Sequence, residues 1–334
     1  MVVPAEVDLK PESKVEQLES AATAESTSPC QADADMPDEN LYLTGRPTLK
    51  DFLRFVRRHA LNPPDEGVLT DEWEAAKTFA RSLETSEAGA ADNAPIHKLG
   101  SHYEPLLMEF LKDPVVQNSF NTVPTEIAIV ELDRMVVYQH HIDLTFVRQL
   151  EKKLGPSPTE EQIFRTCLPY DHPHPPVKWS RMRRNSYVFM SPSNDLRFLG
   201  AMSLKPGEIM TPSFGANLVG IVGLSVGFGS NFMNAVYAEK RLILNNGSHR
   251  AYTLRKMGIT HVPCIIQHLG SWDQLDVVAA TEVAENPDFF LKNARPSMLK
   301  DYFNPRLHKV MPVHRRLKQI TVKFEVEETS VPAF

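Results

Sequence analysis

The sequence predicts an α/β protein of the α+β kind, in which a mixed-sheet core follows a helical module. Three observations carry that expectation. Over residues 41–122 apolar residues recur at helical spacing. At TEIAIVE (125–131) the texture turns alternating and β-branched. Residues 226–268 then read as strand, turn, strand, loop, helix, strand. Four segments result: an acidic tail over 1–40, the helical module over 41–122, a core domain over 123–270 interrupted by an insertion at about 156–220, and a mixed extension over 271–334.

Residues 1–40 hold ten acids against Lys10 and Lys14, with too little apolar surface to bury, and read as a disordered, solubilising tail. In the module, Thr48 caps a helix with Asp51 as the acidic half of a capping box, and Leu49, Phe52, Leu53 and Val56 follow at helical spacing. Thr70 opens a second helix with Trp73, Ala76, Ala80 and Leu83 on one face. A third carries Leu106, Leu107, Phe110 and Leu111 and ends near Asp113-Pro114. No cluster of chemistry-bearing residues interrupts this module, so it reads as packing or interaction surface.

After the 125–131 strand, Asp143 caps a helix that Gly155 stops, and Thr159 opens a short helix with the capping box T-E-E-Q. SYVFM (186–190) and LRFLGAM (196–202) flank a SPSND turn, as a hairpin would. LVGIVGLSVGF (218–228) reads as one or two buried strands, and VYAEKRLIL (236–244) as a tight hairpin. A helix over 251–257 closes on Gly258, and HVPCIIQHL is a further strand. In the extension, LDVVAATEVA and ARPSMLKDYF read as helices and TVKFEVEE as a strand.

The chain's net charge is −6, but the first forty residues account for −8, leaving about +2 on the rest. A near-neutral body gives nucleic-acid binding no support from bulk charge. Cys30, Cys167 and Cys264 are too scattered for a disulfide framework or a zinc pattern, which suits a reducing, cytoplasmic setting. The N-terminus has no basic and apolar run of a secretory signal. The longest apolar stretch (216–229) is too short and glycine-rich to span a membrane.

The most informative stretch is LILNNGSHRAY (242–252), where a strand gives way to a helix. Amides at a helix start are unpaired and the helix dipole is positive there, so the junction suits an anion. Gly247 lets backbone approach closely, Arg250 offers a fixed guanidinium fork, and His249 can donate or shuttle a proton. The plainer reading is that Ser248 caps the helix and Arg250 makes a surface pair.

Gly247, Ser248, His249, Arg250, Gly258 and Val262-Pro263 fill the places of a signature: strand, G-[C/E/H]-[H/R]-R turn, helix ending in Gly, strand with Val-Pro. In this the chain resembles the ParB/sulfiredoxin superfamily, and AIVELDRMVVYQHHIDLTFVRQL resembles that domain's opening strand and helix. The resemblance spans roughly 124–270 and implies a nucleotide-binding fold whose turn, Gly247–Arg250, holds phosphates of ATP or CTP with Mg2+. Sulfiredoxins carry a reactive cysteine where this chain has Ser248, so their redox chemistry is not expected. Partition-type members carry a glutamate there and a helix-turn-helix domain afterwards, and neither is evident. Free-serine kinases of the superfamily keep a His-Arg like His249-Arg250, which makes phosphotransfer to a small hydroxyl-bearing metabolite, or nucleotide hydrolysis, the nearest chemistry. A carboxylate base is then required. Glu131 is the candidate, with Glu126 and Asp133 nearby in sequence. A non-catalytic, nucleotide-switched regulator or DNA-associated protein is the alternative.

Other features read as structure. Adjacent His140-His141 point to opposite faces and His172/His174 lack a zinc spacing, so no metal is expected there, and one of these histidines lines a substrate pocket instead. Lys178, Arg181, Arg183 and Arg184 around Trp179 read as a solvated face rather than a nucleic-acid contact. Cys264 reads as a buried structural thiol.

Overall fold

Side-chain caps set the starts of five of the ten helices. In the computed structural model, which describes residues 38–172, 174–183, 185–193, 195–204 and 219–332, fourteen strands and ten α-helices are found. In chain order the first half holds β1 (Asp38–Leu43), α1 (Leu49–His59), α2 (Glu66–Ser86), β2 (Ile96–Lys98), α3 (Glu104–Phe110), α4 (Pro114–Ser119), β3 (Thr125–Glu131), β4 (Val136–Val137), β5 (His141–Asp143), α5 (Leu144–Leu154) and α6 (Glu160–Cys167). The second half holds β6 (Lys178–Arg183), β7 (Ser186–Ser191), β8 (Leu196–Leu204), β9 (Ile221–Phe228), β10 (Asn234–Ala238), β11 (Arg241–Asn246), α7 (Ser248–Lys256), β12 (His261–His268), α8 (Leu275–Val278), α9 (Thr281–Glu285), α10 (Pro287–Leu291), β13 (His308–Val313) and β14 (Lys318–Lys323). The protein is α+β with mixed sheets.

Six strands form the central sheet in the order β2-β3-β12-β10-β11-β4. β10 runs parallel to β12 and β4 parallel to β11, while the β10–β11, β12–β3 and β2–β3 pairs are antiparallel. The β10–β11 hairpin turns at Glu239 and Lys240, both with positive φ (47° and 65°), the backbone that a two-residue turn between right-twisted strands demands. Buried residues Val130, Ala128, Ile265, Cys264, Ala235, Leu242 and Leu244, from both faces of the sheet, build the main core with Val147 of α5, Phe164 and Cys167 of α6 and Leu254 of α7. Thr48 caps α1, Asp143 caps α5 through the amides of Thr145 and Phe146, and Thr159 with Gln162 completes the capping box of α6.

Several expectations are corrected. α2 begins at Glu66, capped by Asp65, one turn before Thr70; Asp65 takes the Gly67 amide. Residues 41–122 are not a separate helical module. β1 lies between β13 and β5, and β2 edges the central sheet, so strands from both ends of the chain tie this region to the core. β1 also claims Asp38–Asn40 from the tail; residues 1–37 lie outside the described residues.

SYVFM and LRFLGAM do not pair. β7 is flanked on both sides by β14 and β6, so β8 pairs with β9 in a two-stranded ribbon. β9 is therefore not buried: Val222 is 72% exposed. LDVVAATEVA breaks at Ala279-Ala280 into α8 and α9, and ARPSMLKDYF yields only a 3₁₀ turn at Leu299–Phe303 because Pro296 cannot continue a helix. TVKFEVEE contributes only its first three residues to β14.

Candidate functional site

The strand-to-helix switch falls at Gly247, whose φ of 102° is left-handed backbone open to glycine. A side chain here would also press on Met233, with the Cγ at 3.2 Å and the Cα at 3.3 Å, and on Nη2 of Arg250 at 3.3 Å. α7 then starts at Ser248 with no side-chain cap, so Ser248 is not the N-cap that the plainer reading made it. Asn245 and Asn246 are the last two residues of β11. The Asn245 side chain donates to Asn234 Oδ1 and to the Val278 carbonyl and accepts from the Ala280 amide, and that of Asn246 donates to the Ser230 carbonyl.

Arg250 is 6% exposed. Its Nη1 donates to the carbonyls of Thr166 (3.1 Å) and Cys167 (3.3 Å), at the C-terminus of α6, and of Asn231 (2.7 Å). A cation at those carbonyls meets the negative end of the α6 dipole. It is therefore not a surface pair, and among the described residues no carboxylate forms an ion pair with it. Burial pulls its pKa below the ordinary arginine value. A buried cation without a counter-ion favours any anion that comes within reach.

His249 faces a ring cluster. Its imidazole lies edge-on to His141 (6.4 Å between centroids) and to Phe146 (5.6 Å). His141 contacts Phe55, which stacks on His59 at 4.5 Å. Burial, then the charges of His141 and Arg250, push the His249 pKa down to about 3. Burial, then His140, push His141 to about 4; burial, then Arg316 and His141, do the same to His59. These three imidazoles are neutral at pH 7, each a potential proton acceptor.

The turn meets this cluster through the parallel β4–β11 pair. Ile243 opposes Val136 and Leu244 opposes Val137, so the residues after Val137 emerge beside those after Leu244. Tyr138 confirms the alignment by donating to the Asn245 carbonyl at 2.9 Å. His141 and Phe146 are thus the turn's neighbours. His141 belongs to a pair named from sequence, whereas no local signal marked Phe146 or His59.

Glu131 lies elsewhere. It opposes His261 at the start of β12, and the neighbouring Asp133 pairs with Arg255 in the last turn of α7 at 2.8 Å. Gly247 is at the other end of that helix, about 13 Å away along nine residues. The required base is therefore not Glu131. Glu126 is bound to His268 at 2.8 Å, three strands from β11. The turn's left-handed glycine, helix start and buried Arg250 suit a phosphate; among the described residues no carboxylate forms an ion pair with Arg250, although the charge of Asp195 acts on it. Among the described residues no group of three or more His, Cys, Asp or Glu could hold a metal ion. His172 pairs with Asp113 and His174 stacks on Phe228.

Cys167 and Cys264 are buried and without a disulfide; burial pushes the Cys167 thiol up to about 12 and Cys264 also well up, so both are inert. Among the described residues no helix is long and apolar enough to cross a membrane. Compared with protein families, curated proteins and solved structures, the chain matches none.

Proposed function

We propose that this is a nucleotide-binding protein of ParB/sulfiredoxin-like design, in which the Gly247–Arg250 turn holds phosphate. The observation that carries this is Arg250: a buried guanidinium, fixed by three carbonyls and paired with no carboxylate among the described residues, at the start of a helix entered through left-handed glycine. The amides of α7 supply donors and the helix dipole adds to the field. If ATP or CTP reacts there, as a phosphotransferase or hydrolase acting on a small hydroxyl-bearing metabolite, the proton acceptor is neutral His249, with His141 behind it. Mg2+ would then arrive with the phosphates and be held chiefly by them.

The placement of Glu131 away from the turn favours a second reading, in which nucleotide binds as a switch and no transfer follows.

The test is thermal stabilisation by ATP, CTP and ADP with Mg2+, since a ligand selective for the native state raises Tm. Ser248→Asp should abolish the shift, because a carboxylate at this helix start repels phosphate; Ser248 is buried, so circular dichroism must show that the variant folds. His249→Gln should keep binding and lose turnover, if there is turnover; full binding with no turnover in the wild type selects the switch. No shift from any nucleotide overturns both readings.

A further inference from the structure

Beyond the last β1–β13 pair, Leu43 with His308, a cleft of about 570 Å³ opens between α2 and the 305–310 segment. Small-molecule sites span roughly 300–1,000 Å³. The cleft shares no residue with the Gly247–Arg250 turn. Its shape follows from the path of the chain. Past the pair, the Thr44 amide donates to the Leu307 carbonyl at 2.7 Å, and Gly45, with a φ of 75°, turns the chain across α2. A Cβ at Gly45 would stand 2.5 Å from the Ala76 carbonyl carbon and from the Lys77 nitrogen, so the crossing requires glycine. Trp73 fastens it by donating to the Pro47 carbonyl at 2.9 Å. On α2, Glu72, Ala75, Ala76 and Phe79 are three or four residues apart and share a face. The two alanines leave the gap that larger side chains would close.

The charges on the walls do not cancel. Lys309 is neutralised by Glu72, whose two carboxylate oxygens lie 2.9 and 2.7 Å from its Nζ. Arg306 is not neutralised. Its guanidinium lies 3.8 Å over the Phe79 ring and forms neither an ion pair nor a hydrogen bond among the described residues. His308 adds no charge at pH 7, since burial pushes its pKa below the ordinary 6.5. One positive charge therefore remains on the lining. Thr44 is 4% exposed and lines the cleft, and its hydroxyl has no hydrogen-bond partner among the described residues. A buried hydroxyl ordinarily has one. The two unengaged groups, guanidinium and hydroxyl, can both donate, while the one carboxylate is taken by Lys309. The rest of the lining, Ala75, Ala76, Pro305 and Val310, is apolar.

We propose that this cleft binds a small monocarboxylic acid with an apolar body. Arg306 meets the carboxylate through charge-assisted hydrogen bonds, the Thr44 hydroxyl donates to the ligand, and the alanine, proline and valine surfaces cover its hydrocarbon. The single free cation selects a single negative charge. A dianion or a triphosphate would bring charge that nothing on these walls compensates, and an amine would face Arg306 with like charge.

The test is saturation-transfer NMR titration of the full chain with octanoate and with phenylbutyrate, each against its uncharged amide. Both acids should bind, and each amide should bind about tenfold more weakly or worse, because the charged partner is gone. Arg306→Gln should weaken the acids about tenfold or more and leave the amides unchanged. Thr44→Val should weaken the acids without lowering Tm, because the hydroxyl holds nothing in the fold. Ala75→Leu fills the cleft from an exposed helix position and should abolish binding of acids and amides alike. Arg306 and Ala75 are exposed, so both variants should fold, and circular dichroism verifies it. The proposal is overturned by no binding of either acid to the wild type, by equal affinity for acid and amide, or by indifference to any of the three variants. Displacement of the acids by inorganic phosphate would also overturn it, since Arg306 would then take any small anion.

Discussion

Two buried arginines, Arg250 and Arg295, solve the cost of burying a charge in opposite ways. Arg295 is 1% exposed and donates to both oxygens of buried Asp301, with Glu87 beyond at 2.9 Å. Burial alone would lower its pKa, but the hydrogen bonds and charges of Asp301 and Glu87 reverse that and raise it. Among the described residues Arg250 is hydrogen-bonded by carbonyls only; its pKa stays lowered by burial, and the charge of Asp195 opposes that shift without forming an ion pair. Arg295 thus closes its own electrostatics and holds Glu87, the residue after α2, to the segment before β13. Arg250 ties α6 to α7 but leaves net positive charge in the core. A saturated pair is architecture, while an unsaturated cation at a helix start is architecture with capacity for an anion.

This contrast can be broken by experiment. The largest effect expected is from Asp301→Asn, which strands Arg295 in the core and should cost about 3–5 kcal/mol in chemical denaturation. Arg250→Met should cost less, about 2–3 kcal/mol, because lost carbonyl bonds are partly offset by removing a buried charge that no ion pair among the described residues neutralises. If Arg250→Met proves the costlier, the two arginines are not different in kind.

Acid comes next. His59, His141 and His249 have pKa values of about 4, 4 and 3 in the folded chain against an ordinary 6.5. The unfolded chain binds protons first as pH falls, so the stability their neutrality supports is whole above pH 6.5 and lost as pH drops through about 4. Each contributes a slope of at most about 1.4 kcal/mol per pH unit. Denaturation from pH 7.5 to 5 should show the loss, and His141→Gln should flatten it. A slope unchanged by that variant would place the acid sensitivity outside the ring cluster.

The smallest effect is at glycine. Gly247→Ala combines positive φ with contact on Met233 and should cost about 1–2 kcal/mol. Gly258→Ala has positive φ but open space, so about 1 kcal/mol is expected. Equal costs would show that Met233 yields and that close approach is not what requires Gly247.

Much of the fold was legible because its signals are local. Thr48, Asp143 and Thr159 act within three residues of themselves, and Glu239-Lys240 and Gly258 set the backbone where they stand. The β7–β8 hairpin was misread because strand patterning does not name a partner: β14, more than a hundred residues later, takes the place beside β7. Burial of β9 was misread for the same reason, since an apolar run looks alike in a core strand and in an exposed ribbon.

The sequence by itself determined the helix starts at Thr48, Asp143 and Thr159 and the strand-to-helix junction at Gly247, because backbone preference and capping are properties of neighbouring residues. The tertiary structure alone decided what surrounds that junction. Parallel pairing of β4 with β11 brought His141 and Phe146 to His249, the end of α6 captured Arg250, and antiparallel pairing of β3 with β12 carried Glu131 to the far end of α7. Which side chains meet across a sheet is set by strand order and register, and these follow from the packing of the whole core rather than from any single segment.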